Sequence, residues 1–373
     1  MEAFTEIIDL LGRLPEDNAK AVLATVVETS GSTYRKAGAR MLIYQDGRAV
    51  GVVSGGCVEG DLLDRARSVL ETGRPELCVY DATAPGDAVW GLGLGCKGVV
   101  RVLVERADDP RVKEAAAFLS GCRDGRREGA LATVFAVEGD APAAVGDRLM
   151  LDDAGVSGSS VKDGALAAGM EAEARAVFHS GRSAKRSFEE DGWKADVLVE
   201  HAAPPIALFI YGGGPDALPL TTFGRELGWR ITVADSRADF AKRGNFPHAH
   251  DVMLVHPSEL PDKLRLDARS AAVVMSHRYM EDLEVLAFLL RTDAPYIGLL
   301  GPRARKEKLI EDLESRGGLP NGEAVARMYG PAGLDLGGES PEAVAVSIAA
   351  EIQCVVNGRK GGFLRDRTSP LHV

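Results

Sequence analysis

The chain is poor in cysteine and short of positive charge, and each deficit removes a class of function. Five cysteines occur in 373 residues, at Cys57, Cys78, Cys96, Cys122 and Cys354. They form no CxxC pair and their number is odd, so no disulfide framework is expected and a reducing cytoplasm fits. Any cysteine that stands out is then a thiol with a task. Lys and Arg number 44 against 55 Asp and Glu, a net charge of -11, which argues against the broad basic face that nucleic acid or an anionic membrane selects. No apolar run reaches the roughly 20 residues of a membrane span. The opening MEAFTEIIDLLGRLPED has acids and no basic n-region, and it reads as an amphipathic helix and not as a signal peptide. With 45% apolar residues the chain can bury a large core in two or three domains, and its partners are expected among small molecules and proteins.

Glycine, by contrast, is plentiful and clustered. Its 43 copies exceed the usual share of about 7% and mark places where backbone approaches something closely. Two such places lie within a long internal repeat. Displacing the chain by 108 residues superposes Leu23-Ala-Thr-Val26 on Leu131-Ala-Thr-Val134, Gly31 on Gly139, Gly38 on Gly146, Arg40 on Arg148 and Gly47 on Gly155. Both copies run through a helical stretch, about Val58 to Glu71 and Asp163 to Phe178, to strands at Val102–Glu105 and Val197–Glu200. There the offset has shrunk to 95, so the second copy has lost 13 residues. Two long copies indicate one duplicated α+β layer and not a solenoid.

The repeat is an internal control that separates scaffold from chemistry. SGGCVEGD at 54–61 stands opposite KDGALAAG at 162–169, with Ala165 in place of Cys57. The missing 13 residues are assigned to the stretch holding WGLGLGCKG and Cys96. Arg40 recurs as Arg148, so that pair is expected to be structural. In the first copy the expected strands are Leu23–Val27, Arg40–Tyr44 and Ala49–Val53, with Asp46-Gly47 as a tight turn. Cys57 would then open a helix after Gly55-Gly56, where unpaired N–H groups and the positive dipole end favour an anion or a thiolate. Arg35 and Lys36 in the preceding loop can hold a phosphate over the same helix start. The alternative for Cys57 is a small buried residue under a tight turn. Cys96, among glycines 91, 93, 95 and 98, reads as part of a flexible loop; beside Cys57 it could ligate a metal or carry sulfur, although two thiolates make no closed zinc site. Cys78, Cys122 and Cys354 read as core residues.

After Pro204-Pro205 the pattern changes. The strand IALFIY (206–211), the turn Gly212-Gly213-Gly214-Pro215-Asp216-Ala217, an apolar-periodic helix to Leu227 and the strand RITVAD ending at Asp235 give a Rossmann-like order. The glycines suit a pyrophosphate, and Asp235 stands where an acid would meet a ribose hydroxyl. Pro215 removes one N–H from that first turn. Further parallel strands at 271–276 and 296–301 bring His277, Asp282, Gly301 and Arg303 to the carboxyl edge of the sheet, where such folds bind ligands. Ser340 and Pro341 open a final buried helix.

Together GSTYRKAGARMLI, GVVSGGCVEGDL, GLGLGCKG, the strand–GGGPDA–helix, MSHRYMEDLEVL, YIGLLGPRARKEKL and GLDLGGESPEAVAVSIAAEI resemble the XdhC/CoxI family of xanthine dehydrogenase accessory proteins. The resemblance spans nearly the whole chain and is weakest over about 110–200, and Lys97 replaces a glycine of the family's GLGCGG-like motif. It implies an α/β protein with a duplicated N-terminal XdhC/CoxI domain over 1–203 (copies about 21–107 and 129–202), a Rossmann-like domain over 204–357 and a loose tail over 358–373. It further implies a cytoplasmic, homodimeric and non-catalytic chaperone that binds the molybdenum cofactor (molybdopterin). Such a protein shelters the cofactor during sulfuration by a cysteine desulfurase and delivers it to an apo-xanthine dehydrogenase or related molybdoenzyme. Cys57 and Cys96 would contact the metal, while Arg35, Lys36, Gly55, Gly56 or the Rossmann residues Gly212, Gly213, Gly214, Asp235, His277 and Arg303 hold the rest of the cofactor. The competing reading is an NAD-dependent oxidoreductase working in the Rossmann cleft, with His277 as acid–base.

Overall fold

The computed structural model describes residues 2–17, 20–31, 33–56, 58–82, 98–190, 192–317 and 322–368, without the side chains of 2–4 and 15–17. Cys57 and Cys96 lie outside these residues. The chain divides between Pro204 and Pro205 into two compact units.

In the first unit helix α1 (Glu2–Asp17) precedes β1 (Ala21–Gly31), β2 (Arg40–Tyr44), β3 (Ala49–Gly51), α2 (Glu59–Thr72), β4 (Glu76–Asp81) and β5 (Gly98–Arg106). After α3 (Pro110–Asp124) the same series recurs as β6 (Gly129–Gly139), β7 (Arg148–Asp152), β8 (Gly155–Ser159), α4 (Gly164–Ser180), β9 (Ala184–Glu190) and β10 (Trp193–Ala202). The two antiparallel sheets have corresponding strand orders, β3-β2-β1-β5-β4 and β8-β7-β6-β10-β9. Apolar spacing explains the outer helices. Leu62, Ala66 and Val69 of α2 are buried against Val22, Ala24 and Val26 of β1, and their counterparts Met170, Ala174 and Val177 of α4 are buried against β6. Each helix ends on a left-handed glycine, Gly73 or Gly181, as a C-terminal cap requires.

The other faces of the two sheets meet. Each central strand carries a bulge at the same place in the repeat, Val27 in β1 and Phe135 in β6. These two residues pack with the equivalent pair Leu103 and Leu198 in one buried cluster. Beside it two ion pairs cross between the copies in reciprocal fashion. Arg40 of the first copy donates to Glu200 of the second at 2.8 Å, and Arg148 of the second donates to Glu105 of the first at 2.5 Å. Each guanidinium also donates to the carbonyl of its own preceding glycine, Gly38 or Gly146. Those glycines have φ of +91° and +90°, and a Cβ would stand 2.8 Å from Glu200 Oε1 or 2.7 Å from Glu105 Oε1, so only glycine fits twice over. The junction, with Thr25 and Thr133, lines a cavity of about 20 Å³, room for about one water and none for an organic ligand. The structural role expected of Arg40 and Arg148 is thus borne out.

The second unit is a six-stranded parallel sheet. It holds β11 (Ala207–Tyr211), α5 (Ala217–Glu226), β12 (Arg230–Asp235), β13 (Asp251–Leu254), α6 (Leu260–Lys263), β14 (Ser270–Val274), α7 (Tyr279–Leu289), β15 (Tyr296–Leu299), α8 (Arg303–Ser315), α9 (Gly322–Ala326), β16 (Met328–Tyr329) and α10 (Pro341–Val356). Its order β13-β12-β11-β14-β15-β16 is the 3-2-1-4-5-6 arrangement of a Rossmann sheet. Continuous apolar strands are buried on both faces, Leu208 and Ile210 toward α5 and α10, Phe209 and Tyr211 toward α7 and α8. Ser340 caps α10 by accepting from the N–H of Ala343 at 3.3 Å. Cys354 departs from the core reading: it is half-buried on α10 and lies under the returning tail at Gly361. Among the described residues no helix is long and apolar enough to cross a membrane.

Removing one member of a buried ion pair strands the other charge. Glu200→Ala is therefore expected to lower the unfolding free energy by about 3–5 kcal/mol in urea titration, and Arg40→Met/Glu200→Leu to restore most of it. An unchanged midpoint for Glu200→Ala would show that the pairs do not hold the sheets.

Candidate functional site

The two copies diverge where the first sheet hands over to its helix. β3 stops at Gly51, short of the expected Val53. Gly51 has φ +84°, and a Cβ there would stand 2.5 Å from the Arg40 carbonyl, which ends regular pairing. In the second copy α4 starts at Gly164, with Asp163 as N-cap accepting from the N–H of Leu166 at 2.8 Å. The first copy lacks that opening turn. Its helix starts at Glu59 with Val58 as N-cap, three residues later in the repeat than α4. Gly56, at φ +106°, turns the chain out of the helical path.

Three N–H groups of this segment are satisfied from within the loop. Glu59 accepts from the Ser54 N–H at 3.0 Å, from the Ser54 hydroxyl at 2.5 Å and from the Val58 N–H at 3.1 Å. Ser54 Oγ accepts in turn from the Gly56 N–H at 3.1 Å. The loop's own carboxylate therefore sits at the helix start, a favourable place for negative charge, and the Ser54, Gly56 and Val58 N–H groups are already taken and do not wait for a phosphate. The start of α2 is also tied to β4, since the Tyr80 hydroxyl donates to Asp61 at 2.7 Å. β4 and β5 flank residues 82–97, where the second copy has residues 191–192 alone between its strands. The additional length of the first copy thus lies in the stretch that carries Cys96.

Gly55 and Gly56 are exposed, as are Arg35 and Lys36 on the loop between β1 and β2. Tyr34 joins the two segments, its ring atoms 3.5 and 3.6 Å from where a Cβ of Gly55 would stand. Sequence spacing flagged the cations and the glycines but neither Tyr34 nor the Ser54–Glu59 clamp. The only available signal was SxxxxE around the glycine pair, which has no helical or strand period. The other described thiols of this unit are inert: Cys78 and Cys122 are buried, and desolvation pushes each up to about 11, so both stay protonated at neutral pH.

In the Rossmann unit the carboxyl edge is satisfied from within. Asp235 is buried at 1% exposure. It accepts from the Gly213 N–H at 2.8 Å, from the Arg237 N–H at 2.9 Å and from the Arg237 guanidinium at 2.7 and 2.8 Å. Burial alone would raise its pKa, but these donors together hold it below the ordinary carboxylate value. Nothing of it is offered to a ribose. Gly212 and Gly213 serve packing, since a Cβ on them would stand 2.5 Å from the Ser276 nitrogen and the Phe240 carbonyl respectively. Asp282 is buried, accepting from Ser276 and, at 2.6 Å, from Arg305, while desolvation raises its pKa. Glu281 accepts from Tyr211 at 3.0 Å and from Ser236 and pairs with Arg278. Gly301 turns at φ +127° beside Arg305, and Arg303 is exposed and paired with Glu307 along α8. Gly214 faces open space, and His277 is held at φ 59° with its exposed ring 3.8 Å from Asp216. Among the described residues no group of three or more His, Cys, Asp or Glu is placed to hold a metal.

Glu59→Ala removes the acceptor inside the loop. Amide exchange at Gly56 and Val58 should accelerate at least about tenfold, while Leu166, capped by Asp163, keeps its rate. Unchanged exchange at Val58 would show that the clamp does not fix the loop.

Comparison with known proteins agrees with the architecture. The XdhC and CoxI family profile matches residues 15–81 and 122–189, one stretch in each copy, and the XdhC Rossmann domain profile matches residues 208–352. The chain is 31% identical over 345 residues to a protein of Bacillus subtilis (strain 168) named as a probable xanthine dehydrogenase subunit, covering 92% of this chain and 95% of that one. A shorter stretch of 65 residues is 42% identical to the Escherichia coli (strain K12) molybdenum cofactor insertion chaperone PaoD, 17% of this chain and 20% of that one. A crystal structure described as a xanthine dehydrogenase from Bacillus halodurans superposes with a TM-score of 0.73 at 28% identity, covering 95% and 96% of the two chains. With both copies and the parallel sheet matched, and a relative aligned almost end to end, the chain belongs to the XdhC and CoxI family.

Proposed function

We propose that this protein receives the molybdenum cofactor, holds it through a loop site in the first copy of the repeat, and hands it to a molybdoenzyme of the xanthine dehydrogenase type. The observation that carries this reading is the divergence between the copies. The second closes its sheet-to-helix junction with an ordinary Asp163 cap. The first gives up that turn and exposes Gly55 and Gly56, with Arg35 and Lys36 exposed on the loop whose Tyr34 lies against Gly55. A molybdopterin presents a phosphate, a dithiolene and a soft metal, so a matching site needs cations, close backbone and a thiolate. Arg35 and Lys36 supply the first and Gly55 and Gly56 the second; Cys57, with Cys96, supplies the third. Because Glu59 occupies the helix start, the phosphate is assigned to the two side chains and not to the helix dipole.

In this reading the bound cofactor is sulfurated with sulfur from a cysteine desulfurase before delivery, and the protein acts as a cytoplasmic homodimer without turnover of its own. The name of the partly matching PaoD, an insertion chaperone, supports such a role. Use of NAD is not favoured, because Asp235 is committed to Gly213 and Arg237.

Protein purified from molybdate-fed cells should carry molybdenum, measured by mass spectrometry, and pterin, measured by fluorescence of its oxidised derivative. Cys57→Ala should lower both at least about tenfold. Equal retention by the variant would remove the thiol from the account.

A further inference from the structure

The loop between β1 and β2 has a twin, and the twin shows which of its side chains the fold can do without. In the first copy the Gly38 N–H donates to the Val26 carbonyl at 2.8 Å, Val26 to Ala39 at 2.8 Å and Ala39 to Lys36 at 3.1 Å. In the second, Gly146 donates to Val134 at 2.8 Å, Val134 to Asp147 at 2.8 Å and Asp147 to Ala144 at 3.0 Å. Bends and turns also fall at matching positions, 34–35 and 37–38 against 142–143 and 145–146. The same backbone is therefore built twice. Where one copy has Thr33-Tyr34-Arg35-Lys36, the other has Ala141-Pro142-Ala143-Ala144. Neither an aromatic ring nor a cation is needed to make the loop.

Tyr34 nevertheless leaves a ring 67% exposed, against the tendency of aromatic area to be buried. The ring lies against Gly55, and the Arg35 guanidinium stands 5.4 Å from its centroid. An aromatic surface, two cations and a backbone with no side chain in the way form one exposed patch. That combination recognises a flat, anionic heterocycle, the ring by stacking and the phosphate by the cations.

We infer that Tyr34 is a specificity-determining residue whose ring stacks on the planar ring system of the guest. The inference rests on the cofactor-holding reading above and adds that a flat ring, and not the phosphate or metal alone, is selected. Discrimination follows from shape: phenylalanine or tryptophan can replace the tyrosine, whereas an aliphatic residue of similar bulk cannot.

The test equilibrates the purified protein, under anaerobic conditions, with graded amounts of molybdenum cofactor freshly released from a molybdoenzyme, removes unbound cofactor by gel filtration, and reads what is retained by fluorescence of its oxidised derivative. Wild type, Tyr34→Phe, Tyr34→Leu and Tyr34→Trp are compared, with inorganic phosphate as control ligand. Tyr34→Phe should bind within about twofold of wild type and Tyr34→Leu about tenfold more weakly. In Tyr34→Trp the added indole emission should be quenched by the cofactor and not by phosphate. Equal affinity of wild type and Tyr34→Leu would overturn the stacking role while leaving the cofactor reading intact. Absence of binding by wild type would overturn both. The circular dichroism and melting temperature of Tyr34→Leu should match wild type; a loss of fold would make the tyrosine structural and also overturn the inference.

Discussion

Two guanidinium–carboxylate pairs buried between two sheets set the terms for the N-terminal unit. Breaking such a pair strands a charge, so each Arg must meet its Glu whenever the unit folds. Because Arg40 belongs to the first copy and Glu200 to the second, while Arg148 and Glu105 run the other way, neither copy can satisfy its charges alone. The reciprocity fixes the register of the two sheets through Gly38 and Gly146, where a side chain would collide with the carboxylates. Val27, Phe135, Leu103 and Leu198 then fill the space beside them. The duplication is in this sense one folding problem solved by two half-sets of residues.

A scaffold held from its centre leaves its ends free to differ. The helices α2 and α4 finish on equivalent glycines, yet α2 starts later. The residues released from that turn form the loop around Gly55 and Gly56, clamped from inside by Ser54 and Glu59. The loop between β1 and β2 keeps its backbone in both copies but bears exposed Tyr34, Arg35 and Lys36 in only one. Chemistry is thus placed on one half and shape retained by both. In the Rossmann unit the polar groups at the carboxyl edge are spent on one another, as at Asp235 and Asp282, so the fold keeps its sheet order with a different use of its glycines.

Much of this was legible in the sequence because it is periodic or repeated. The shared Arg40 and Arg148, the apolar stripes of α2 and α4, the Ser340-Pro341 helix start and the strand–glycine–helix order after Pro205 all leave signals with a fixed spacing. What escaped has no spacing. Glu59 reaches back over five residues to Ser54, a local bond that no helical or strand pattern announces. Asp235 stands where a ribose-binding acid would, and only coordinates reveal that Gly213 and Arg237 have claimed it. Cys354 has a helical surrounding, but its burial depends on where the tail returns. Tyr34 is a single aromatic in a turn, and its meaning comes from comparison with Pro142.

The central claim is that one copy of a duplicated scaffold, and not the Rossmann glycines, carries the ligand site. Hydrogen–deuterium exchange of the protein with and without bound molybdenum cofactor tests it most directly. The account predicts slower exchange confined to residues 33–39 and 54–58, with the twin loop 141–147 and the glycine turn 212–216 unchanged. Protection at 212–216 and around His277, with none at 33–58, would contradict it.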